Sequence, residues 1–137
     1  ILGAPGATYI TMGNLQVILN VLEFGMAIQE AISAPRFAAT SNIIEISNRI
    51  LRSTETNLKN MGYPILRDPK SFTFAWVHGI LVSDGVVTGG ADPATDGMSL
   101  SVQKQSFHPT ENRIKISETA TVYVKSSQVK FGCMIIR

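Results

Sequence analysis

A mixed α/β fold with adjacent antiparallel strands is what this sequence predicts, and three observations predict it. A Gly/Pro turn, Ile1-Leu2-Gly3-Ala4-Pro5-Gly6-Ala7-Thr8, leads into the apolar run Leu15–Phe24, so strand, tight turn and helix follow one another. In the second half, runs rich in aromatic and β-branched residues flank Asp84-Gly85, a strong hairpin signal. At 137 residues, 45% apolar and 16% charged, the chain is long enough for one domain with a sizeable core.

The helical pattern starts at Asn14, with Leu15, Ile18, Leu19 and Leu22 at i, i+3, i+4 and i+7. Val17, Val21 and Phe24 widen the apolar arc, which predicts a helix covered on more than one side. Gly25 is the expected left-handed stop. A second short helix, Ala27 to about Ser33, must end before Pro35. Ile43-Ile44-Glu45-Ile46 reads as a strand; Ser53 or Thr54 is expected to cap a helix running to Met61 and closed by Gly62. Pro64-Ile65-Leu66 reads as a short strand and Phe72–Val82 as a long one, answered by Val86-Val87-Thr88. Gly89-Gly90-Ala91-Asp92-Pro93 is expected to break the sheet, and Met98–Val102 to close it. Thr119–Lys125 and Val129–Ile136 are strand-like runs in the tail.

Charge divides the chain. Residues 1–102 carry six Lys/Arg against eight Asp/Glu, and residues 103–137 carry six against two. Ten of the eleven glycines precede residue 103, so 103–137 is treated as a separate basic segment. The net charge of +2 does not call for nucleic acid. Cys133 is the one cysteine, which excludes an intrachain disulfide. No run reaches the length of a membrane helix, and no charged-then-apolar signal leads the chain, which begins at Ile1.

Chemistry has few candidates. The Gly3–Thr8 turn points backbone N–H groups at whatever lies before the helix, a setting for a carboxylate, a phosphate or a developing oxyanion. It lacks the Gly-Lys-Ser/Thr of a Walker loop and the glycine spacing of a dinucleotide fingerprint. His78, in a strand-like run, is expected to be a hydrogen-bonded structural residue, and His108 sits beside Pro109 in the tail. Neither has the neighbours a metal site needs, so no metal or cofactor is expected. Asp92 and Asp96 read either as paired carboxylates or, as expected, as Asx-type turn residues. Arg36 is either a carboxylate holder or an ordinary surface arginine.

Several motifs together go further. Gly3-Ala4-Pro5-Gly6-Ala7, Leu15–Val21, Phe24-Gly25-Met26 and Ala34-Pro35-Arg36-Phe37 occur in the order and spacing of the γ-glutamyltransferase (glutathione hydrolase) small subunit. Gly89-Gly90-Ala91-Asp92-Pro93 with Asp96-Gly97 is similar to that family's closing motif. The resemblance covers residues 1–102 and leaves 103–137 unmatched. It implies part of an N-terminal-nucleophile hydrolase, with stacked antiparallel sheets between helix layers. In such enzymes a threonine exposed by self-cleavage attacks the γ-glutamyl carbonyl, with its own amine as base. The resemblance assigns the oxyanion-hole amides to Gly6 and Ala7. It places the threonine and a double-serine segment before Gly3, and the glutamate-binding arginine in the large subunit. It also implies a γ-glutamyl donor such as glutathione and a secreted, periplasmic or cell-surface setting. Its partners would be the large subunit and the upstream part of the small one.

This chain departs from the family pattern at two positions. Ala94 replaces the arginine that commonly follows Asp-Pro. Ala7 replaces a glycine; its N–H survives, but a left-handed conformation there costs about 1 kcal/mol or more. Two other readings stand beside the enzyme: a non-catalytic interaction module, motivated by the basic tail, and a phosphate-binding turn.

Overall fold

A computed structural model of the chain describes the backbone of residues 1–84, 86–106, 115–125 and 130–134, and the side chains of residues 1–84 and 86–100. Strand β1 (Leu2–Gly3) is followed by a single 3₁₀ turn (Ala7–Tyr9) that runs directly into helix α1 (Ile10–Leu22). The helix therefore begins a turn earlier than Asn14. The polar residues of its first turns did not stop it, because the 3₁₀ turn already supplies a helical start, with Ile10 N–H donating to Ala7 O. Gly25 takes φ 64 after the helix, as expected of a left-handed stop.

Helix α2 (Ile28–Ser33) follows, its entry held by the Glu30 carboxylate accepting the Ala27 N–H, and it ends ahead of Pro35. Strands β2 (Phe37–Ala38) and β3 (Ile44–Ile46) pair antiparallel. Helix α3 (Arg52–Asn60) then carries the chain over to β4 (Ile65–Arg67), which pairs parallel with β3. The crossover is what permits that parallel pair, the other pairs among the described strands being antiparallel. Leu51, not Ser53 or Thr54, precedes α3, and no side chain caps it; Glu55 instead places a carboxylate in the first turn, where the helix dipole favours it. Gly62 follows at φ 91.

Strands β5 (His78–Ser83) and β6 (Val86–Gly90) form the hairpin around Asp84, which sits at φ 50 as a primed turn requires. With β1 they make one antiparallel sheet in the order β1-β5-β6. Two expectations fail here. The strand begins at His78 rather than Phe72, because the backbone of Ala75, Trp76 and Val77 bonds to groups outside any sheet. Gly89 and Gly90 stay in β6, paired with Ile80 and Gly79, and the chain leaves the sheet only at Ala91. Gly90 serves close packing: a β-carbon there would lie 2.8 Å from Ile32 Cδ1 and 3.1 Å from Gln29 Cα of α2. Strands β7 (Met98–Ser106), β8 (Lys115–Lys125) and β9 (Lys130–Met134) form a third sheet, with β7 running through residue 102. They contain the two strand-like runs of the tail in part; His108 lies outside the described residues.

The core is the seam between the helices and the first sheet: Val17, Ile28, Ala31, Ile32 and Val77. Helix α1 buries only Gly13 and Val17. Leu15, Ile18, Leu19 and Leu22 are 40–73% exposed, so the expectation of a helix covered on several sides is corrected. The described residues supply one layer against a helix whose apolar arc is wider than that layer.

Candidate functional site

The turn between β1 and α1 is built from unusual backbone. Gly6 stands at φ 143 and Ala7 at φ 49, so the left-handed conformation whose cost the alanine raises is the one adopted. Gly6, Ala7 and Thr8 are exposed. Gly6 O accepts the Tyr9 N–H at 3.0 Å, which closes the turn. Neither the Gly6 nor the Ala7 N–H donates to an acceptor among the described residues. Both amides thus belong to exposed residues at the head of α1, where the helix dipole favours negative charge.

Behind the turn lies a second pair of left-handed residues, Phe74 at φ 66 and Ala75 at φ 68, both buried. They meet the turn closely. A β-carbon on Gly6 would sit 2.9 Å from Ala75 Cα, so glycine is required there by space as well as by φ. Trp76 N–H donates to Pro5 O at 3.3 Å, and the Tyr9 ring meets Phe74 edge-on with centroids 5.5 Å apart. The Tyr9 hydroxyl donates to Glu45 Oε2 at 2.9 Å; that bond raises its pKa, burial and the Glu45 charge adding to it, so Tyr9 remains a protonated donor.

A buried ion pair fastens this segment from below. The guanidinium of Arg36, 3% exposed, bonds the fully buried Asp92 carboxylate and also donates to Ile32 O and to Ala75 O at 3.1 Å. Asp92 Oδ2 also accepts the Val77 N–H at 3.3 Å, while Oδ1 accepts the Ala94 N–H at 2.9 Å. Arg36 is therefore the carboxylate holder and not a surface arginine. Asp92 is an Asx-type turn residue, as expected, and a charge partner besides; Asp96 is exposed.

His78 corrects its expectation. It is fully buried, yet neither ring nitrogen has a hydrogen-bond partner among the described residues. The strand register pairs its backbone with Gly3 and packs the ring against the loop at Gly97, where a β-carbon would come within 2.8 Å of Cε1. Burial pushes its pKa below the ordinary histidine value, against the pull of Asp92 and Asp96. The ring is neutral at pH 7. Among the described residues no cluster of three or more His, Cys, Asp or Glu is placed to hold a metal ion.

Sequence reasoning located the turn and left Phe74 and Ala75 out. Their residue types argue for strand, and nothing local signals left-handed backbone.

Comparison with known proteins places this arrangement. Residues 1–102 match the sequence model of the family described as Gamma-glutamyltranspeptidase. The Acylase ACY 1 proenzyme of Pseudomonas sp. (strain V22) is 31% identical over 102 residues, which are 74% of this chain and 18% of that protein. The chain thus spans about a fifth of the length of the curated relatives it matches. Among solved structures, a mutant gamma-glutamyltranspeptidase from Helicobacter pylori is 33% identical with a TM-score of 0.59, covering 67% of this chain and 52% of that one. A cephalosporin acylase from Bacillus halodurans is 25% identical with a TM-score of 0.66, covering 71% of this chain and 19% of that one.

Proposed function

The chain belongs to the gamma-glutamyltranspeptidase family of the N-terminal-nucleophile hydrolase fold, and we propose that its Gly6–Ala7 turn supplies the oxyanion hole of an enzyme that cleaves γ-glutamyl amide bonds. One observation carries the reading: two exposed amides, without acceptors among the described residues, held in left-handed backbone at the head of a helix. A hydroxyl nucleophile from outside these 137 residues attacks the γ-carbonyl, and negative charge gathers on its oxygen. The C–N bond then breaks, the amine leaves with a proton, and water or an amino acid takes the glutamyl group from the ester. The amides act where the charge is greatest, so they favour the transition state over the substrate.

Residues 1–102 are the part proposed to serve this reaction, together with the large subunit and the upstream part of the small one; 103–137 are read as a separate basic segment. Glutathione is the proposed donor, and the acylase names among the relatives make a cephalosporin side-chain amide the competing substrate.

The test is turnover of γ-glutamyl-p-nitroanilide. The 137 residues alone are expected to release no p-nitroaniline. The complete product of the gene that encodes them is expected to release it and to lose that activity when its upstream threonine is changed to alanine. Turnover by the 137 residues alone would overturn the division of labour. A gene with no upstream threonine would favour the non-catalytic interaction module, a reading that the exposed apolar face of α1 also supports.

A further inference from the structure

We propose that Phe74 and Ala75 are positioning residues for the Gly6–Ala7 donors, a wedge that holds the turn in its left-handed conformation; this rests on the oxyanion reading of that turn. Consecutive non-glycine residues at φ 66 and 68 are strained, and such strain persists only where the surroundings over-determine it. Here they do. Three successive residues are tied in three directions: Ala75 O accepts from Arg36, Trp76 N–H donates to Pro5 O, and Val77 N–H donates to Asp92.

What the wedge presses on is equally specific. Ala75 abuts Gly6 of the turn and also Gly13 of α1, where a β-carbon would lie 3.0 Å from Ala75 Cβ. Phe74 meets Tyr9, the last residue of the 3₁₀ turn. The turn's own bonds are few, Tyr9 N–H to Gly6 O and Trp76 N–H to Pro5 O, and Gly6 itself is exposed and has no side chain to hold it. A glycine that must aim an N–H at a growing charge needs a wall behind it, and the Ala75 methyl is that wall.

The test is Ala75→Gly in the complete enzyme that contains this chain. Glycine accepts φ 68 without strain, so the thermal midpoint is expected to stay level or rise. Without the methyl, the turn loosens, and kcat is expected to fall about tenfold, part of the roughly 10²-fold loss that a 1 Å misplacement brings. KM should stay within about twofold, because substrate binding is untouched. Ala75→Ser, which keeps the β-carbon, should restore most of kcat. A role in stability alone predicts the opposite link, with activity following the melt. A folded Ala75→Gly enzyme with unchanged kcat overturns the proposal. Exchange of Gly6 for glycolic acid, which replaces its N–H by an ester oxygen and adds no β-carbon, separates the two ideas: if that enzyme loses kcat while Ala75→Gly does not, the wedge fails and the oxyanion reading stands. If the ester enzyme keeps full kcat, both fail.

Discussion

Two ion-pair clusters in this molecule use the same chemistry in different places. At the inner one, Arg36 and Asp92 are shut away from solvent, and their spare donors and acceptors go to the backbone of Ile32, Ala75, Val77 and Ala94. At the outer one, Glu55 of α3 is met by Arg67 of β4 at 2.6 Å, Lys59 at 2.8 Å and Arg52 at 3.4 Å, with Lys59 and Arg52 largely in water. The outer cluster can lose Arg52 or Lys59 and let solvent take its place. The inner one cannot, since a lone charge there has no water to turn to. Both clusters bond backbone, Arg67 reaching Ser47, Asn48 and Ile50, but the outer one keeps two members in water while the inner pair is shut from solvent.

The largest expected effect breaks the inner pair. Arg36→Ala leaves a buried carboxylate uncompensated and should cost about 3–5 kcal/mol in urea unfolding. A cost below about 1 kcal/mol, the value of a surface pair, would erase the distinction. Next comes the strained backbone that the inner pair supports. Ala7→Gly relieves φ 49 and should raise stability by about 1 kcal/mol in thermal melts, with activity of the complete enzyme unchanged because the N–H remains.

Beside the inner pair, the His78 pKa is lowered, chiefly by burial, so the unfolded chain binds its proton first. Its contribution is fully present above the ordinary histidine range and is lost as pH falls below it. His78→Leu should therefore flatten the decline in melting temperature below about pH 6.5. The smallest effect belongs to the outer cluster. Hydrogen bonds from Lys59 and Arg67 hold the Glu55 pKa down to about 2. Its stabilisation is present above the usual carboxylate range and fades as pH drops toward that value. Glu55→Gln should therefore lower the melting temperature at pH 7 and flatten the acid limb, the two curves converging as pH falls toward 2.

Much of this was legible in residues alone, and unevenly. Gly25, Gly62 and the Asp84 hairpin fell where local rules put them, because each needs only its own φ and its neighbours. The family motifs led to Gly6 and Ala7 because a turn before a helix is a local object. The Arg36–Asp92 pair joins residues 56 positions apart, so either residue read singly looks like a surface charge or a turn. Phe72–Val77 carries strong strand propensity, and long-range bonds to Pro5, Arg36 and Asp92 overrode it. The missing cover on α1 was equally hidden, since an apolar arc states what a helix wants and not what this chain places against it.

The central claim is that the Gly6 amide stabilises the charge of the transition state, and its most direct test is the complete enzyme with glycolic acid in place of Gly6. The ester oxygen removes that donor while adding neither a β-carbon nor a fixed φ where Ala75 leaves no room, and a melt of the same sample checks the fold. Losing one such donor costs about 2.7–4 kcal/mol, so kcat for γ-glutamyl-p-nitroanilide should fall by roughly 10²–10³ while KM stays near that of the unaltered enzyme. A folded ester enzyme with undiminished kcat would contradict the account and leave the turn a structural feature alone.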